Sequence, residues 1–174
     1  MSDAQTEEKT ATTPFWRFSL KFYGQTGVSD ACIALQDGCG IDVNLLLYLF
    51  WLASEGRQLT ADEVKALDDK VKSWRELTIM PIRDVRRKLK GAATLAEPVK
   101  QEAFRDKVKA VELEAERMQQ EALYQFTRSG PPLGKAAEPG LAARGNIAAL
   151  AAALDKTFPK ASVDVLIGGF TSAA

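Results

Sequence analysis

An all-α fold is what this sequence predicts, and three observations predict it. Apolar residues recur at helical spacing along most of the chain. Capping signals open one segment after another. No stretch sustains the apolar–polar alternation of a strand. The expected architecture is a compact helical bundle around one fully apolar helix. Four parts follow: a flexible polar leader (1–12), a helical domain (13–129), a Pro/Gly linker (130–140) and a loosely attached alanine-rich segment (141–174).

Thr13 before Pro14 suits an N-cap followed by the first helical position, and "PFWRFSLKFY" then runs to Gly24. Phe15, Phe18 and Phe22 share one side of that short helix, and an aromatic cluster of this kind is more often core than ligand pocket. Trp16 and Tyr23 are the members expected nearer the surface. "VSDACIALQDG" reads as a second helix, with Ala31 and Leu35 turned inward. Asp42 can cap the next, Val43 to Ser54, by accepting from the free amides of its first turn. That helix is apolar on every face, which requires burial on every side. Its uncharged run, Leu45 to Ala53, falls far short of the about 20 residues that span a bilayer.

Thr60-Ala61-Asp62-Glu63 forms a capping box, so a helix begins at Ala61. Its stripe runs through Val64, Leu67, Val71 and Trp74 and resumes at Ile82, Val85 and Leu89. Pro81 lies between, predicting a kink or break at Thr78 to Met80. Glu97-Pro98 opens a long helix to about Arg128. There Phe104, Val108, Val111, Ala115, Met118 and Ala122 make a heptad-like seam, with Glu112, Glu114, Glu116 and Arg117 expected on the outer face. "LAARGNIAALAAALD" predicts one short helix after Asn146, and Val163 to Ile167 fits either helix or strand.

The chain of 174 residues has a 46% hydrophobic share and equal numbers of basic and acidic side chains, 23 each. A balance of this kind gives no field to gather nucleic acid or an anionic membrane, so nucleic-acid binding and membrane insertion are both disfavoured. The chain contains no histidine, which removes the usual general base near neutral pH and the commonest metal ligand. An enzyme is therefore the less favoured class, and no cofactor or metal is called for. Cys32 and Cys39 are too few for a structural zinc site, and reduced thiols fit a cytoplasmic protein.

Two constellations carry the candidate chemistry. In "PIRDVRRKLK" the side chains of Arg83, Arg86, Arg87 and Lys90 fall along one side of a helix, opposite Ile82, Val85 and Leu89. Guanidinium forks suit carboxylate or phosphate. The plainer reading is a solvated face whose arginines pair with acidic neighbours such as Glu112 to Glu116. The second constellation is Gln36, Asp37, Asp42 and Asn44, flanking a glycine turn before the apolar helix. Asp and Asn are locally favoured at such turns for structural reasons alone.

Three segments, "FWRFSLKFYGQTGVSDACIALQD", "GIDVNLLLYLFWL" and "WRELTIMPIRDVRRKLK", resemble an uncharacterised proteobacterial family of small helical proteins catalogued as a domain of unknown function. The resemblance covers Pro14 to Tyr124. It implies a bacterial, cytoplasmic, helical protein and supplies no activity. The function expected is a protein-interaction or regulatory module that meets another protein through the basic helix face, with a homo-oligomer left open. The alternative is a small-anion-binding protein or enzyme that combines the Asp37/Asp42/Asn44 turn with arginines of the Pro81 helix. That alternative requires those side chains to converge on one concave pocket.

Overall fold

The computed structural model describes residues 12–91 and 97–173. Of the leader (1–12), residues 1–11 lie outside the described residues. The fold is all-α: α1 (Pro14–Tyr23), α2 (Val28–Cys39), α3 (Val43–Ser54), α4 (Ala61–Trp74), α5 (Met80–Lys88), α6 (Pro98–Arg128), α7 (Pro139–Ala153) and α8 (Lys160–Ala173). Among the described residues a two-stranded ladder pairs β1 (Arg57–Gln58) antiparallel with β2 (Lys135–Ala136). No helix among the described residues is long and apolar enough to cross a membrane.

The predicted caps close the helices they were assigned to. Thr13 accepts from the Trp16 amide at 3.0 Å, Asp42 Oδ1 from those of Asn44 and Leu45, and Thr60 with Glu63 forms the reciprocal capping box. Every residue of α3 from Asn44 to Ala53 is buried, as its all-round apolarity demands. α1, α6 and α7 pack around it. Phe22 meets Phe50 at 4.7 Å between ring centroids, Phe50 meets Phe170 of α8 at 5.6 Å, and Phe15 lies edge-on to Tyr48. Each such side chain taken out of water contributes about 1.5–3 kcal/mol.

The expected break before Pro81 takes the form of a π-helical turn, Arg75–Ile79, that runs into α5 without interruption. Proline offers no amide and its ring would strike the carbonyl four residues earlier. A wider turn relieves that collision, and the Met80 amide reaches back to the Arg75 carbonyl.

The seam expected on α6 is corrected. Phe104, Val111 and Met118 are each more than half exposed, and the buried face is Glu112, Ala115, Gln119, Gln120 and Leu123. Glu112 is therefore an inward residue, 5% exposed, because charged and amide partners on α5, α1 and α3 meet this polar face.

The C-terminal segment is also not loosely attached. Ala142, Ile147, Leu150, Leu166 and Phe170 belong to the same core as α3. α7 begins at Pro139 rather than after Asn146, because Glu138 caps it by accepting from the amides of Gly140 and Leu141. Val163 to Ile167 is helical, within α8. Gly169 lets α8 approach α2 closely, since a Cβ there would stand 2.4 Å from Val28 Cγ2. Lys21 of α1 donates to the Ala173 carbonyl at 2.5 Å.

The ladder ties the Pro/Gly segment down, and Gly134 makes the approach possible. Its φ is +65°, and a Cβ would lie 2.4 Å from the Gln58 carbonyl oxygen. Gly134→Ala is expected to cost about 2 kcal/mol or more, from left-handed strain plus the collision. Urea denaturation should show the midpoint falling with the slope unchanged.

Candidate functional site

The π turn delivers α5 so that its basic stripe faces inward, onto α2 and α6. All three nitrogens of the Arg83 guanidinium are engaged. Nε donates to Glu112 at 2.9 Å, Nη1 to the Gln36 side-chain carbonyl at 2.7 Å, and Nη2 to Glu116 at 2.7 Å. Arg86 donates to both oxygens of Glu112, from Nη2 at 3.1 Å and from Nε in a shorter contact. Arg87 pairs with Asp37 at 3.0 Å, both about half exposed. Lys90 stands exposed in the turn after α5 and does not line the cleft that the others share.

Burial by itself would raise the Glu112 carboxyl. Hydrogen bonds from Arg86 and Arg83 outweigh it and hold the group below the ordinary carboxylate value. Glu116, one helical turn on, is shifted the other way: burial raises it and the single contact with Arg83 does not compensate. Two carboxylates on one arginine are thus driven apart.

These groups form one wall of a cleft of about 640 Å³ between α1–α2 and α5–α6. At its floor lies a short amide chain: Ser19 donates to Gln120 Oε1 at 3.0 Å, and Gln120 Nε2 donates to Asn44 Oδ1 at 2.9 Å. Ser19, Asn44 and Gln120 are buried yet line the cleft. Trp16, Leu20 and Tyr23 of α1 and Ile33 of α2 supply the opposite, mainly apolar wall. Burial raises the Tyr23 phenol above its ordinary value.

Of the sequence-predicted residues, the structure brings Gln36, Asn44, Arg83, Arg86 and Arg87 together in this cleft. Asp37 sits at its edge through Arg87. Asp42 does not line it. Beyond capping α3, its Oδ2 accepts from Arg75 at 2.8 Å and from Gln119. Arg75 in turn bonds Asp68 at 2.6 Å; burial works against its charge, but the two aspartates raise its proton affinity overall. Asp42 therefore fastens α3 to α4 and α6.

Sequence reasoning missed Ser19, Glu112, Glu116 and Gln120 as site residues. A signal existed in the polar residues 112, 116 and 119–120, which share one helical face. Among the described residues no group of three or more His, Cys, Asp or Glu side chains is placed to hold a metal ion.

No curated protein and no solved structure matches this chain. A family model matches residues 14–123, from the first residue of α1 to Leu123 on α6, leaving α7 and α8 outside although they complete the same core. The chain belongs to the family described as "protein of unknown function (DUF2390)".

Proposed function

We propose that this protein binds a small ligand carrying an anionic group in the cleft between α1–α2 and α5–α6. The carrying observation is the convergence of Asn44, Gln36, Arg86 and Arg87 on one concave site. A buried amide beside guanidinium groups is well matched to carboxylate or phosphate oxygens. The fixed pairing of Arg83 with Gln36, Glu112 and Glu116 supports a preorganised wall. We also read the protein as bacterial and cytoplasmic. The family resemblance supports this, as do two unpaired thiols: Cys32, pushed up to about 12 by burial, and the half-buried Cys39.

A thermal-shift series with carboxylates and phosphate esters of graded bulk tests the reading. A ligand at 100 times its dissociation constant stabilises the folded state by about 2.7 kcal/mol, which raises the melting point by roughly 5–10 °C. The shift should occur in the parent and shrink in the double variant Arg87→Gln/Lys109→Gln, whose positions are exposed on the cleft rim. If no anion raises the melting point, or the variant responds equally, the cleft is not an anion site.

A second reading, a protein-interaction module, draws on a different surface. Leu77, Met80 and Val85 on the π turn and α5, with Val99, Phe104 and Val111 on α6, are large apolar side chains about half exposed or more. A partner captured by the parent and lost from Val85→Asp/Phe104→Asp supports this reading. Retention by that variant counts against it.

A further inference from the structure

The cleft leaves unequal numbers of donors and acceptors unsatisfied. Asn44 and Gln36 use their side-chain oxygens, and Asn44 Nδ2 and Gln36 Nε2 make no hydrogen bond among the described residues. Arg86 keeps Nη1 free after binding Glu112, and Arg87 commits only Nη2. Lys109 lies one turn before Glu112 on α6 and has no ion pair among the described residues, although it lines the cleft. Against these donors stand fewer acceptors: the second oxygen of Glu116, the exposed Asp106, the Tyr23 hydroxyl and, at the edge, the Asp37 carboxylate already paired with Arg87. The site is therefore short of ligand oxygens.

The remainder of the lining is apolar and uncovered. Leu20 is 59% exposed, Leu113 54% and Ile33 44%, and Tyr23 adds its ring. These come from both walls, and the volume is that of a small-molecule site rather than of a single ion. Lys109 and Leu113 are four apart on one helix, so the donor-rich end and the apolar lining are contiguous.

We infer that the ligand is an amphipathic oxyanion: an aliphatic or aromatic body along Leu20, Tyr23, Ile33 and Leu113, ending in a carboxylate or phosphate held by Arg86, Arg87 and Lys109. This rests on the anion-binding reading above and narrows it to one ligand class.

Isothermal titration of the full-length protein with sodium decanoate, decyl phosphate, decanol and sodium acetate tests it. Decanoate or decyl phosphate should bind at least tenfold tighter than both decanol and acetate, and the tighter of the two identifies the oxyanion. Arg87→Gln/Lys109→Gln should abolish the advantage over decanol, and Ile33→Asp/Leu113→Asp should weaken decanoate at least fivefold. All four positions are exposed, and circular dichroism confirms that the variants are folded. Acetate binding as tightly as decanoate overturns the amphipathic ligand while sparing the anion site. Decanol matching both decyl anions overturns both ideas, as does an absence of binding by all four probes.

Discussion

Asn146→Ala is expected to melt about 10 °C below the parent, the larger of the two strongest effects foreseen for this fold. Asn146 is 1% exposed and satisfies three backbone groups with one carboxamide. Its oxygen accepts from the Leu59 amide at 2.7 Å, and its nitrogen donates to the carbonyls of Leu49 at 2.9 Å and Arg57 at 3.0 Å. These groups belong to the middle of α3 and the segment that follows it, so the side chain fastens α7 to both. Each buried backbone group left without a partner costs about 1–3 kcal/mol, giving about 3–4 kcal/mol once relaxation and water entry are allowed. For a domain of this size each kcal/mol moves the midpoint by roughly 2–4 °C. Asn146→Leu should be nearly as damaging, because restoring volume does not restore donors or acceptors. Asn146→Asp should be worse than a near-isostere suggests, since it sets a carboxylate against two carbonyl oxygens. Calorimetry that finds any of the three within 2 °C of the parent would show that the network contributes little.

The same residue marks where the sequence stops being legible. Helices α1 to α4 and α6 were readable because local chemistry writes their ends: Thr13-Pro14, Asp42, Thr60 with Glu63, and Pro98. The burial of α3 was readable because eleven uncharged positions from Val43 to Ala53 leave no face for water. The docking of α7 was not, because its alanines specify no partner and its decisive contact is a polar side chain reaching across the fold. α6 was misread for a related reason. A heptad of Phe104, Val111 and Met118 looks inward only if glutamates are assumed to look outward. That assumption fails where arginines from another helix wait: their pairing with Glu112 and Glu116 was legible as the plainer reading of the basic stripe, but the burial of Glu112 was not. The π turn has the same character. Pro81 announces a disturbance, but the sequence does not say whether the helix breaks or widens, nor that Arg75 at the start of the turn is paired with Asp42 and Asp68. The candidate site was thus half visible: its arginines, their acidic partners and the turn around Asn44 stood out, while the inward direction of the stripe and the polar floor of Ser19 and Gln120 did not.

Glu112→Ala should destabilise the protein by about 3 kcal/mol at neutral pH, near the lower end for breaking a buried ion pair. The lower end applies because Arg83 retains Gln36 and Glu116, and both arginines keep about a fifth of their side-chain surface exposed. Arg86 loses its one ion-pair partner among the described residues, so the loss falls mainly there. The effect should depend on pH with a definite sign. The Glu112 carboxyl lies below its ordinary value when folded, so its contribution is complete above the unfolded value of about 4.3 and disappears as pH falls through the folded one. The gap between parent and variant should therefore close in acid. Glu116 should behave oppositely. Its folded value is raised, so keeping it ionised at neutral pH costs stability, and that cost vanishes below the ordinary carboxylate range. Glu116→Gln, which can still accept from Arg83, should leave the protein as stable as the parent or more so at pH 7, and indistinguishable from it near pH 4. Urea titrations of the three proteins at both pH values decide the matter. Equal losses from Glu112→Ala and Glu116→Gln at pH 7 would mean that the two carboxylates share Arg83 evenly. In that case Glu112 does not aim the basic stripe into the cleft.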